Sequence, residues 1–176
     1  PDVSARLEFD DRMVKLVSEG FDVAIRIGDL PDSSLKARKV AETEVNLIAS
    51  PKYIERHGAP QSLDDLSKHE LLHYSHLSSG NYWRLRSKSG DERLIRSGGR
   101  LAINNGEALV QAALDGLGIC LSPNFICHDE LANGSLIELL PAHKPAPLDV
   151  FAVYPEGRFP QPKQRVFIDH LATLLK

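Results

Sequence analysis

The sequence predicts an α/β protein divided into two lobes. Two observations give the class. Apolar strand patterns alternate with helix patterns from end to end, and several of the strands are short, nearly all-apolar runs of the kind found in sheets covered on both faces. A third observation gives the division: a hairpin and a proline-rich connector interrupt the alternation in the middle of the chain. With 176 residues, 42% of them hydrophobic and 26% charged, the chain is long enough to bury one or two modest cores without a metal or a disulfide.

Taken in order, Val3, Ala5, Leu7 and Phe9 alternate with Ser4, Arg6 and Glu8, which is the period-two signature of a half-buried strand. A helix follows, capped by Asp10 or Asp11, with Met13, Leu16 and Val17 on one face and Gly20 as its stop. Residues 23–27, closed by Gly28, read as a strand buried in a parallel sheet and complete a strand–helix–strand unit. Residues 37–41 and 45–49 are two further strands. Pro51 then opens a short helix that runs to Arg56 and is broken by Gly58, Ala59 and Pro60. A helical turn over 63–66 leads into an apolar strand, 71–74, and then into a polar loop, 75–81, long enough to invite a functional reading.

Residues 82–87 and 93–96 are the arms of a hairpin turning at 89–92, extended by a strand over 101–103. Asn104 with Glu107 forms a capping box ahead of Leu109, Val110, Ala113, Leu114 and Leu117, and Gly116 and Gly118 stop that helix. A buried strand over 117–121, a helix from Pro123 to about Leu131, a turn at Asn133 and Gly134, and a strand over 136–140 come next. The connector 141–147 carries three prolines. An apolar strand over 148–154, a break over 155–162 and an amphipathic helix over 166–175 using Phe167, Leu171, Leu174 and Leu175 finish the chain.

Composition narrows the chemistry. The formal charge of −3 and the mixing of bases with acids give no concentrated positive field for phosphate backbones. Arg84, Arg86, Lys88, Arg93, Arg96 and Arg100 follow the hairpin with Asp91 and Glu92 at its turn, and we read them as a solvated strand face rather than a nucleic-acid surface. No apolar run spans a bilayer, which predicts no membrane association. Cys120 and Cys127 match no zinc or redox spacing and read as reduced thiols of a cytoplasmic protein. His57, His69, His73, His76, His128, His143 and His170 include no metal-binding motif, and no nucleophile elbow, phosphate loop or dinucleotide fingerprint occurs. We therefore expect no metal, no cofactor, no catalytic residue and no enzyme.

Three segments resemble one family. The stretch LEFDDRMVKLVSEGFDVAIRIG (7–28) is similar to the regulatory-domain segment of LysR-type transcriptional regulators in which a strand and a helix precede a buried strand. NLIASPKYIERHGAP with SLDDLSKHELLHY is similar to the crossover of that family. NGEALVQAALDGLGICLSP (105–123) resembles the segment in which a helix ends in Gly-x-Gly-Ile and a strand runs into proline. Order and spacing agree across nearly the whole chain.

The resemblance implies a two-lobed periplasmic-binding-protein-like (type II) fold, with the chain crossing twice between lobe I (1–50 plus 148–176) and lobe II (51–147). It also implies a small-molecule effector in the interlobe cleft, pairing of sensor domains into a homodimer or homotetramer, and DNA contact only through an N-terminal winged helix-turn-helix. That head, and a first strand and helix of lobe I, would precede the point matching Pro1.

Ligands of open α/β sheets sit beyond the carboxyl ends of strands, near helix starts. This selects the loops 10–12, 28–31, 75–82, 104–106 and 122–124, and within them Asp11, Gly28, Ser75, His76, Asn104, Asn105, Gly106 and Pro123. Simple alternatives stand beside these assignments. Asn104 serves as the cap while Asn105 faces the ligand, or the whole turn is capping alone. Ser75 and His76 also fit an ordinary polar loop, Trp83 fits a core anchor better than a pocket wall, and Arg26 fits an ion pair with Asp22 better than an anion site. The expected function is effector sensing for transcription regulation, against two rivals: a solute-binding protein of a transporter and, less favoured, a small α/β enzyme.

Overall fold

A computed structural model describes residues 4–30, 32–87, 90–155 and 162–175. Val3 of the first predicted strand, Pro31, Ser89 of the hairpin turn and residues 156–161 of the predicted break lie outside the described residues. The chain divides into two compact units, Pro1–Thr43 with Leu148–Lys176, and Glu44–Pro147. It begins in the first unit with α1 (Leu16–Glu19), β1 (Ala24–Ile27) and β2 (Leu35–Thr43). The second unit runs β3 (Val45–Ala49), α2 (Pro51–His57), a 3-10 turn (Asp64–Lys68), β4 (His73–Tyr74), β5 (Tyr82–Ser87), β6 (Glu92–Arg96) and β7 (Ala102–Ile103). It continues with α3 (Gly106–Leu114), β8 (Cys120–Pro123), α4 (Asn124–Asn133), β9 (Ile137–Glu138) and β10 (His143–Lys144). The chain returns to the first unit with β11 (Leu148–Pro155) and α5 (Pro162–Leu174).

In the first unit the sheet order is β1-β11-β2 and both pairings are antiparallel. The parallel sheet expected around residues 23–27 is therefore replaced: β1 and β2 both pair with the returning strand β11, which runs against them. β1 is correspondingly half-buried in alternation, with Ile25 and Ile27 exposed. Val40, Val150, Ala152 and Ile168 form its core, with Leu171 and Ala172 packed against it. So α5 docks through Ile168, Leu171 and Ala172, while Phe167, Leu174 and Leu175 of the predicted stripe are exposed.

The strand predicted over the first residues does not form between 4 and 9, and Phe9 is 94% exposed. The predicted caps of the next helix are also replaced. Asp10 accepts from the Arg12 N–H instead, and the Glu19 carboxylate reaches back to the Lys15 N–H at 2.7 Å. Gly20 ends α1 in the left-handed region (φ 77°), as expected. Arg26 donates to the Val14 carbonyl at 2.8 Å rather than pairing with Asp22, which is paired with Lys163.

The second unit is built on β3, every residue of which is buried. β3 pairs antiparallel with β8 and β9, a parallel bridge Leu71–Ile119 links β8 to the approach of β4, and β4 pairs parallel with β7. The result is a mixed sheet in the order β7-β4-β8-β3-β9. Its two faces carry separate cores. One gathers Leu47, Ala49, Tyr53, Leu66, Leu71, Trp83, Leu85 and Ile119, and the other Ile48, Leu72, Leu109, Val110, Ala113, Cys120 and Cys127. The split of Leu47 and Ala49 from Ile48 is the period-two signature of a central strand covered on both sides. Residues 44–50, grouped with the first lobe by the sequence reading, lie with the second unit because β3 finds its ladder partners there.

A second sheet, β10-β5-β6, holds the hairpin, whose second arm begins one residue earlier than expected, at Glu92, with Trp83 and Leu85 inward. The strand expected over 136–140 shortens to β9, since Leu140 takes a positive φ of 46° that ends extended backbone. The proline-rich connector contains β10, paired with β5 through His143–Ser87 and Lys144–Arg86.

Candidate functional site

Within the second unit, β4, β7 and β8 run parallel, so their carboxyl ends open on one side of the sheet. The loops leaving them carry Ser75 and His76 after β4, Asn104, Asn105 and Gly106 after β7, and Pro123 at the end of β8. Strand order places the β4 loop next to both of the others. The Ser75 N–H donates to the Ile103 carbonyl at 2.8 Å, carrying the β4–β7 ladder into the loops. β3 runs antiparallel to β8, so the chain enters the unit at this same end, and the Asn124 N–H donates to the Glu44 carbonyl at 2.8 Å. The predicted residues of this unit are thus gathered on three neighbouring strand ends beside the crossover.

Their surroundings differ. Ser75, His76 and Asn104 are exposed, and the His76 ring meets the edge of Tyr74 at 5.7 Å between centroids. The helix cap is Asn105, whose Oδ1 accepts from the Ala108 N–H at 2.9 Å, so the capping role expected of Asn104 belongs to its neighbour. Pro123 is half-buried beside the buried Ser122, whose hydroxyl donates to the Pro123 carbonyl at 3.3 Å. In the first unit Gly28 follows β1 with φ 96° and donates its N–H to the Asp149 carbonyl at 2.9 Å, close to where β11 begins. Asp11 lies in the exposed segment before α1.

Two side chains at the crossover end of the second unit were not anticipated. Asn46, buried in β3, donates to Asn124 Oδ1 at 3.2 Å and to Cys127 Sγ at 3.9 Å. Lys144 Nζ lies 2.9 Å from Glu138, 3.3 Å from Glu44 and 3.5 Å from Asn46 Oδ1. The Glu138 carboxylate, then Glu44, hold the Lys144 ammonium above its usual range. An asparagine in the otherwise apolar run VNLIA was the available signal for the first residue; nothing in the connector marked the second.

Chemically, this end offers a hydroxyl, an imidazole and amides, with its nearest ammonium already matched by carboxylates. Such groups recognise a polar small molecule by hydrogen bonding. The Cys127 thiol beside Asn46 is buried, and burial pushes its pKa up, keeping it protonated and unreactive. Among the described residues no group of three or more metal-ligating side chains occurs, and no helix is long and apolar enough to cross a membrane.

Comparison with known proteins gives a consistent result. The family model for the LysR substrate binding domain matches residues 1–176. An uncharacterized HTH-type transcriptional regulator of Haemophilus influenzae is 39% identical over 90% of this chain, which spans 54% of that protein. The HTH-type transcriptional regulator DmlR of Escherichia coli is 38% identical over 97% of the chain and 55% of its own length. Among solved structures, full-length AphB of Vibrio cholerae, described as a virulence activator of the LTTR family, superposes with a TM-score of 0.83 at 30% identity. It covers 100% of this chain and 59% of its own. The CrgA regulatory domain of Neisseria meningitidis, a LysR-type regulator, superposes with a TM-score of 0.78 at 32% identity, covering 91% of this chain and 78% of its own. The chain therefore spans a little over half the length of the curated relatives it matches.

Proposed function

Since this chain belongs to the LysR substrate-binding-domain family, we propose that it senses a small-molecule effector on behalf of a transcriptional regulator. Its fold is the type II periplasmic-binding-protein-like fold of LysR regulatory domains. The matched relatives are regulators, so this reading holds over that of a free-standing solute-binding protein, and they point away from an enzyme. Within the second unit the effector is held at the strand ends carrying Ser75, His76, Asn104, Asn105, Gly106 and Pro123. The observation that supports this site is the parallel run of β4, β7 and β8, which brings their carboxyl-end loops together.

In the whole regulator, effector binding acts by favouring one arrangement over another, which requires unequal affinity for the two. The arrangements are those of a cytoplasmic homodimer or homotetramer paired through sensor domains, with DNA held by an N-terminal winged helix-turn-helix. Thermal unfolding against a panel of small polar metabolites tests the site. A true effector at about 100 times its Kd stabilises by about 2.7 kcal/mol. Ser75→Ala and Asn104→Ala should each weaken that response. A compound that stabilises both variants as well as it does the parent chain places its site elsewhere and overturns the assignment.

A further inference from the structure

α2 leaves the far end of β3, away from the strand ends described above. It carries Tyr53, which is buried, and that phenol is the centre of a cluster the effector reading does not use. Tyr53 Oη accepts from the Glu70 N–H at 3.0 Å and lies 3.2 Å from His69 Nδ1. On the other side of the ring, His57 stacks at 4.4 Å between centroids, and its Nδ1 lies 3.1 Å from the Tyr53 carbonyl.

We assign the protons from these contacts. With the Glu70 N–H already donating to the phenol oxygen, the phenol proton is directed at His69 Nδ1. His69 therefore carries its hydrogen on Nε2 and is neutral. His57 faces a carbonyl, so its Nδ1 is the donor. We propose that Tyr53, His57 and His69 form a proton-operated clasp, which fastens α2 to the segment following the 3-10 turn at neutral pH and releases it in acid.

The release follows from the same geometry. Protonating His69 puts an N–H where the phenol O–H already points, so two donors meet. The phenol must then turn its proton away inside a buried site. The new imidazolium also faces His57 on α2 and Lys68 on the 3-10 turn, with Asp65 as the opposing carboxylate. Asp65 is already taken up by Lys68, Ser62 and Gln61, and the Glu70 carboxylate is turned to the Arg100 N–H at 2.6 Å. Burial, followed by the charge of His57, holds the His69 pKa below the usual imidazole range. The sign follows. The clasp contributes fully above the ordinary value of about 6.5 and is lost as pH falls through the lowered value. This input needs no effector and acts at the opposite end of the sheet from the proposed binding loops.

Histidine titration and amide exchange, followed by NMR on the intact 176-residue chain, provide the test. His69 should titrate below about 6.5, and the Glu70 amide should open about tenfold more often at pH 5 than at pH 7 after correction for intrinsic exchange. His57→Gln should raise the His69 midpoint by removing the neighbouring imidazole, and Tyr53→Phe should return it toward the ordinary value. Because Tyr53→Phe removes a buried contact, the parent chain and His57→Gln suffice if that variant does not fold. A His69 midpoint at or above the ordinary value, or a Glu70 amide whose opening is indifferent to pH, overturns the clasp. His73, which is buried, is read separately in the same spectra.

Discussion

Replacing Gly118 with alanine strikes the seam that brings the binding loops together. A methyl group at Gly118 would lie 2.5 Å from the Glu70 carbonyl oxygen and 3.0 Å from Leu72 Cδ2. That carbonyl accepts the Ile119 N–H at 2.9 Å, and the Leu72 N–H returns to the Ile119 carbonyl at 2.8 Å, so the obstacle is backbone already bonded across the seam. No flexible side-chain tip can yield, and the strands must part locally. Overpacking costs about 1–3 kcal/mol, and two weakened backbone bonds about 0.5–1.5 kcal/mol each at most, which gives roughly 2–6 kcal/mol. At about 2–4 °C per kcal/mol for a chain of this size, the melting temperature should fall by on the order of 10 °C. Trp83 reports the change. It is the only tryptophan in the sequence, it is 2% exposed, and it shares a core with Leu71 and Ile119, so its fluorescence follows the second unit. Gly134→Ala is the control, since its φ is 78° but nothing lies within 4 Å, leaving only the left-handed penalty of about 1–2 kcal/mol. If Gly118→Ala unfolds at the same denaturant concentration as Gly134→Ala or a higher one, the close-approach argument is refuted.

Two further outcomes follow from individual side chains. Asn105→Ala should cost about 1 kcal/mol through loss of the α3 cap, and Asn104→Ala no more than about 0.5 kcal/mol; chemical denaturation giving the reverse order would sink the cap assignment. Cys120 and Cys127 are buried thiols with pKa values pushed up by desolvation, so a thiol reagent at pH 7 should label neither until urea unfolds the second unit. Prompt labelling in native buffer would contradict their burial.

Much of the fold was legible because burial leaves a period in the sequence. The apolar run of β3 and the stripe of α3 state which residues face inward, and the structure buries all of β3 and Leu109, Val110 and Ala113 of the stripe, while Leu117, past the helix end, is exposed. Period says nothing of the neighbour's direction. Residues 24–27 were apolar enough for a parallel sheet, yet they pair antiparallel with β11, a strand more than a hundred residues away. In α5 two faces are apolar, and only the tertiary contact with β2 and β11 selects Ile168 over Phe167. β9 and β10, at two residues each, are too short to carry any period.

The candidate site was legible to the extent that it lies on loops following strands, which is how Ser75, His76, Asn104 and Pro123 were selected. Finer roles depended on hydrogen bonds that no spacing encodes: the cap passed from Asn104 to Asn105, and Asn46 and Lys144 were drawn in by Asn124, Glu44 and Glu138. The Gly-x-Gly-Ile run carries the sharpest difference. Read along the chain, Gly116 and Gly118 both look like stops for the preceding helix. In space they separate. Gly116 takes the left-handed φ of 80° that a helix end favours, whereas Gly118 clears the way for the Glu70 carbonyl. The second glycine therefore serves the sheet. It lets the approach of β8 pair with that of β4 through the Leu71–Ile119 bridge, so that the two strands end on the same side of the sheet. The residue with most influence on the geometry of the proposed site is thus one that presents no side chain to it.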